Sequence, residues 1–206
     1  MSLKKFSKSQ TKNKNSDCKL RLQGTDGIRS EVKLSSSQEN TNLTPQEVFL
    51  ELGFITEEFM EIYAYAHIKQ LMNVRKIQVG DSFVVGWDPR DPKGNYTSAV
   101  VSGICKAGVN ALILGVAPTP LVPMYMLYKN ACGGFMVTAS HNPRDQNGIK
   151  IFSSFKGLKL LPGDDVLLTS AVLETEPSDL KKLSLKGKRI DARKDALELF
   201  CNFHRD

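Results

Sequence analysis

The sequence contains no apolar run approaching the roughly 18 residues that a membrane-spanning helix needs. Its longest uncharged stretch, Ala107 to Tyr128, is broken by Gly108, Gly115, Pro118, Pro120 and Pro123, residues that punctuate structure and do not extend it. A spanning helix is excluded, and no membrane partner is expected. Cysteine is equally sparse. Cys18, Cys105, Cys132 and Cys201 form no C-x-x-C pair and have no histidines at ligand spacing, so neither a zinc site nor a disulfide framework is expected. The thiols read as small, reduced, apolar side chains. The head of the chain lacks the apolar stretch of a secretory signal and carries lysine where a transit peptide favours arginine. A cytoplasmic location is the expectation.

What is present suffices for a core. The chain has 206 residues, 41% of them hydrophobic, which corresponds to one or two domains, and a domain of about 150 residues buries roughly 68–70% of its unfolded surface. The formal charge of +6 is concentrated at one end: residues 1–20 hold six lysines against Asp17, leaving a net +1 for residues 21–206. Residues 1–17 have few apolar side chains and many Lys, Ser and Asn. Such a composition cannot offset its ordering entropy, and a disordered basic tail is expected there. Such a run usually means a solvated tail, so nucleic acid is not expected as a partner.

Periodic segments begin after Asn42. Thr44-Pro45-Gln46-Glu47 is a capping box with proline at the first helical position, and apolar spacing continues a helix toward Met72 with a break at Gly53. Ser82–Trp87, Ala111–Leu114 and Gly134–Ala139 read as strands, alternating with helices over Tyr96–Ala107 and about Thr119–Lys129. Short connections between alternating strands and helices imply an α/β fold, a three-layer α/β/α domain with a mostly parallel sheet. Asn147-Gly148 predicts a tight reversal that would make the following strand, Ile149–Phe152, antiparallel and the sheet mixed. The loop Ser140–Gln146 then projects from the carboxyl end of a strand, where open α/β sheets meet ligands. Gly163-Asp164-Asp165 can cap a short helix, and Asp191–Phe203 has one apolar helical face. The domain is expected over residues 18–165, with residues 166–206 as a linker helix and the start of an incomplete second domain.

Three stretches carry chemistry. Thr138-Ala139-Ser140-His141-Asn142-Pro143 is followed by Asn147-Gly148-Ile149-Lys150; a strand-end serine beside a histidine and a lysine could be a nucleophile with an acid/base and an electrostatic partner, or simply a polar turn closed by Pro143. Gly24-Thr25-Asp26-Gly27-Ile28-Arg29 offers backbone freedom and a planar guanidinium suited to phosphate oxygens, though Thr-Asp-Gly is also common turn chemistry. Gly86-Trp87-Asp88-Pro89-Arg90 places a charged pair at a strand end, which a surface salt bridge would explain equally well.

Together these stretches resemble the α-D-phosphohexomutase family, which includes phosphoglucomutases and phosphomannomutases, in order and approximate spacing over about residues 18–165. A weaker likeness lies in Ala117-Pro118-Thr119-Pro120. The resemblance implies that the chain is the amino-terminal domain of an intramolecular phosphotransferase that interconverts hexose 1-phosphate and 6-phosphate through a bisphosphate. By that resemblance Ser140 carries the phosphoryl group, Lys150 is the general acid/base, Arg29 a catalytic cation and His141 a supporting group. Asp88, Arg90 and Asn142 would bind the hexose phosphate. On chemistry alone His141 suits a base better, because an ordinary lysine near pKa 10.4 must fall by about three units to act at pH 7. The cofactor implied is Mg²⁺, held by phosphorylated Ser140. The family's D-G-D-G-D metal loop is absent from the sequence, and Asp164-Asp165 reads as a helix cap. The chain is therefore expected to be inactive alone, as a fragment of a longer enzyme or as half of a split one that a complementary chain supplying domains II–IV could complete. The alternative is a non-catalytic interaction module that keeps the fold. Thr138 resembles the glucose- and mannose-phosphate branches more than the glucosamine branch, which usually has serine there.

Overall fold

A computed structural model of the chain describes residues 21–24, 27–37, 42–74, 76–153 and 162–205. The basic tail expected over residues 1–17 lies outside the described residues, as do Cys18, Thr25 and Asp26. β1 (Ile28–Val32) leads through a 3-10 turn to α1 (Pro45–Glu47), which continues as a π-helical stretch, Val48–Leu52. The capping box forms as expected: Thr44 Oγ1 accepts from Glu47 N at 3.2 Å, and the Glu47 carboxylate accepts from Thr44 N at 2.8 Å. Gly53 ends this helix at φ 76°, a left-handed conformation that glycine adopts without steric penalty. The break then holds a two-residue strand, β2 (Phe54–Ile55), before α2 (Glu57–Asn73) starts at its own cap, Thr56.

The strands and helices expected next are present as β3 (Ser82–Trp87), α3 (Asn95–Lys106), β4 (Asn110–Val116), α4 (Leu121–Tyr128), β5 (Gly133–Val137) and β6 (Gln146–Ser153). They are followed by α5 (Pro162–Glu174), α6 (Pro177–Lys182), β7 (Arg189–Asp191) and α7 (Arg193–Phe203). The described residues form one seven-stranded sheet in the order β2-β1-β6-β5-β3-β4-β7. β6 is antiparallel to both its neighbours, β1 and β5, and the remaining pairings are parallel. This is the mixed, mostly parallel α/β sheet read from the sequence.

One expectation is corrected. Asn147 and Gly148 do not form the reversal; both lie inside β6, paired with Ser30 and Arg29 of β1. The chain reverses earlier, through residues 138–145, and the glycine serves close approach between strands, the other use of a residue without a Cβ.

Side chains alternate across the sheet and build two cores. On one face Ile28, Phe83, Val85, Phe135, Val137 and Ile149 meet α2, α3 and α5; on the other Val84, Leu112, Leu114 and Met136 meet α4 and α7. α2 and α3 pack closely because Gly103 has no side chain: a Cβ there would lie 2.4 Å from Glu61 O. The segment after residue 165 joins the same body. Leu168 and Val172 of α5 lie in the first core, β7 extends the sheet beside β4, and Ala196 of α7 is buried in the second core. Asp195 of α7 accepts from Tyr125 Oη at 2.6 Å and pairs with Lys129 at 2.7 Å, tying α7 to α4.

His67 on α2 is 2% exposed, its ring 5.4 Å from that of Phe135 and 6.1 Å from that of Phe83. Its Nδ1 has no hydrogen-bond partner. Burial, with Lys76 adding to it, pushes the imidazole pKa down to about 3. The unfolded chain, with histidine near 6.5, binds a proton between these values that the folded chain does not. Folding stability must therefore fall as pH drops from about 6.5 toward about 3, by up to about 1.4 kcal/mol per pH unit from this group. In urea unfolding followed across that window, His67→Leu should show a shallower dependence than wild type, and equal slopes would refute the assignment.

Candidate active site

The site starts from two glycines at the join between β1 and β6. A Cβ on Gly27, whose φ is 115°, would lie 2.1 Å from Ile149 O, and a Cβ on Gly148 would lie 1.9 Å from Ile28 O. No L side chain fits either place, so the two strands touch backbone to backbone. The same hypothetical Gly148 Cβ would lie 2.9 Å from Arg29 Cγ. The stem of Arg29 thus lies over Gly148, in space a side chain would occupy.

Register then assembles the motifs. Arg29 pairs with Gly148, Gly148 O accepts from Thr138 N at 2.9 Å, and Asp88 N donates to Val137 O at 3.2 Å. Arg29, Gly148, Thr138 and Asp88 therefore lie side by side across β1, β6, β5 and β3, on one face, because directly paired residues share a face. Lys150 follows two residues along β6, opposite Met136, and lies on that face as well. It is half-buried.

Ser140 projects from the end of β5, half-buried, with φ 57°. For a serine this left-handed conformation costs roughly 1–2 kcal/mol. Its amide donates to Thr138 Oγ1 at 2.9 Å, and its carbonyl accepts from Arg90 Nη2 at 2.6 Å. The Thr138 hydroxyl donates to Asp88 Oδ2 at 2.5 Å. Arg90 Nε meets both oxygens of Asp88 at 2.8 and 3.0 Å, and Nη1 reaches Gln146 O at 2.7 Å and Pro143 O at 3.3 Å. Asn142 Nδ2 donates to Gln146 Oε1 at 2.7 Å. His141 is exposed.

The described residues of the three chemically suggestive stretches are thus brought to one end of the sheet. Within them, Asp88, Arg90 and Asn142, expected to bind substrate, make these contacts to each other and to the Ser140 loop. The sequence reading missed Thr138 as the acceptor for the Ser140 amide. Its signal was the i to i+2 spacing typical of serine and threonine turns. It also missed Asp91, which is buried and accepts from Asn95, Tyr96 and Thr97 N at 2.9–3.1 Å. That carboxylate fills the amino end of α3, so these amides are taken. Burial, with Glu57 and Asp91 nearby, pushes the Tyr96 phenol up to about 12.

Among the described residues, no group of three or more His, Cys, Asp or Glu could hold a metal ion, and both oxygens of Asp88 are engaged. The described side chains therefore do not form a magnesium site by themselves. The described residues also include no helix long and apolar enough to cross a membrane.

A family profile described as phosphoglucomutase/phosphomannomutase, alpha/beta/alpha domain I, matches residues 20–176. The chain belongs to this family. It is 39% identical over 144 residues to a phosphoglucosamine mutase of Francisella tularensis subsp. novicida, covering 70% of this chain and 27% of that protein. A phosphoglucosamine mutase of Acetivibrio thermocellus is 32% identical over 184 residues, covering 89% and 36%. The chain therefore spans about a third or less of these relatives. A solved structure of phosphomannomutase type from Thermus Thermophilus superposes with a TM-score of 0.60 at 24% identity, covering 85% of this chain and 34% of its own. That likeness speaks for the fold. The curated relatives carry the glucosamine name, whereas Thr138 resembles the other branches, so this one side chain does not assign the sugar.

Two outcomes test the geometry. Gly27→Ala and Gly148→Ala should each lower unfolding free energy by about 2 kcal/mol or more through backbone overlap, while Gly24→Ala, whose Cβ would be 3.7 Å from its nearest neighbour, should stay close to wild type. Ser140→Gly should be more stable in urea than Ser140→Ala by about 1 kcal/mol, because only glycine adopts the left-handed conformation freely. A reversed order would contradict the backbone conformation described.

Proposed function

We propose that the chain is the phosphoserine-bearing domain I of a phosphohexomutase that interconverts hexose 1-phosphate and hexose 6-phosphate through a bisphosphate. The observation that carries this reading is Ser140, held half-exposed at the carboxyl end of β5, beside a row in which Arg29 lies across Gly148. In the forward step a sugar hydroxyl attacks the phosphorus on Ser140. The Oγ–P bond breaks as the new O–P bond forms, Lys150 takes the hydroxyl proton, and Ser140 Oγ keeps the bonding electrons. In the return step Oγ attacks the phosphorus at the other end of the sugar, and Lys150 returns its proton to the leaving oxygen. Arg29 neutralises charge as the phosphoryl passes, the positioning and electrostatic role on which such transfers depend. His141, exposed on the same loop, supports the incoming phosphate. Turnover requires the parts of the enzyme that the relatives carry beyond the third or so matched here.

Intact mass spectrometry tests the reading. Incubation of the full chain with glucose 1,6-bisphosphate should give a population heavier by one phosphoryl group, absent in Ser140→Ala and slowed by about tenfold or more in Lys150→Met. No labelling of wild type, or labelling that survives Ser140→Ala, would overturn it.

A further inference from the structure

We propose that Arg90 is a positioning residue which, through Asp88 and Thr138, holds Ser140 in its left-handed conformation, and is not a ligand for the sugar phosphate. This rests on the reading of Ser140 as the phosphoryl carrier. The starting observation is an anomaly. Among the described residues other than glycine, only Asn130 and Ser140 have positive φ. Asn130 lies just beyond α4, where asparagine commonly ends helices in this way. Serine has no such preference, and a strained residue persists only where its surroundings over-determine it.

Here they do. Both main-chain groups of Ser140 are bound, the amide by Thr138 Oγ1 and the carbonyl by Arg90 Nη2, and both of those partners end on the Asp88 carboxylate. The threonine hydroxyl has one proton and gives it to Asp88, which leaves its lone pairs for the Ser140 amide. Arg90 spans the loop, holding Ser140 O at one end and Gln146 O at the other. The side chains of Arg90 and Asp88 are 12% and 20% exposed, so their pairing is shielded more than an ordinary surface contact and polarises the hydrogen bonds it joins. A phosphate oxygen reaching Arg90 would compete with Asp88 and three main-chain carbonyls. The nucleophile's oxygen is therefore aimed through its own backbone, leaving its hydroxyl available for chemistry.

The experiment uses the full chain with Arg90→Lys, Asp88→Asn, Thr138→Val and Thr138→Ser. The first readout is amide hydrogen exchange at Ser140 by NMR. Thr138→Val, nearly isosteric with wild type, should raise exchange there about tenfold or more, Thr138→Ser should restore protection, and Arg90→Lys and Asp88→Asn should behave as Thr138→Val. The second is the rate of Ser140 labelling by glucose 1,6-bisphosphate across donor concentrations. A positioning role lowers the saturating rate by about tenfold or more and leaves the half-saturating concentration unchanged. Wild-type exchange in Arg90→Lys, Asp88→Asn and Thr138→Val would overturn the proposal, as would a rise confined to the half-saturating concentration, which would make Arg90 a substrate ligand. Failure of wild type to label at all strikes at Ser140 as carrier, whereas the exchange data judge the clamp on their own.

Discussion

A missing carbon atom at residue 148 sets the geometry on which the site depends. Without a Cβ there, β1 closes on β6 until Ile28 O occupies the space, and Arg29 folds its stem across the gap. This contact and the reciprocal one at Gly27 join the β2–β1 pair to β6, and through it to β5 and the parallel strands beyond. The register that follows is not negotiable, since a slip of one residue would turn every side chain of β1 to the opposite face. It sets an arginine, a threonine and an aspartate from three distant parts of the sequence in one row.

The polar groups at that end of the sheet divide into two kinds. Asp88, Arg90, Thr138 and Asp91 are turned inward, onto main-chain amides and carbonyls, and they give shape to the Ser140 loop and to the start of α3. Arg29, Lys150 and His141 lie over the sheet face or out on the loop. On the proposed function, such a division would give the phosphate-handling charges a frame that does not rearrange as charge moves. It also shows why charged motif residues are poor guides to contact: a guanidinium is as suited to gathering backbone carbonyls as to gripping phosphate.

Much of the fold is legible in the sequence because parallel strands buried on both faces read as short apolar runs. Ser82–Trp87 matches β3 to the residue, and the capping box at Thr44 and the break at Gly53 both stand in the structure. Asn147-Gly148 misleads because the same dipeptide that suits a tight turn also suits close approach between strands, and only the partner strand decides between them. β7 is invisible: Arg189, Ile190 and Asp191 are too few, and too exposed, to show a strand pattern. The candidate site is legible as residue types but not as roles. Ser140 and its motif stand out, yet the spacing of Asp88 and Arg90 cannot reveal that both serve the serine's backbone, since that depends on how three strands end beside one another.

The pairing of β7 with β4 bears on how this protein is cut for laboratory work. The family profile ends at residue 176, but Ala111 N still donates to Lys188 O, and Ala192 N to Ile113 O. A chain trimmed at that boundary would lose the strand that shields the outer margin of β4, a run of alanine, leucine and isoleucine. Its bared amides and carbonyls would offer another molecule a template for strand addition. β7 and α7 thus cover one margin and one face of the sheet, and material prepared without them invites precipitation.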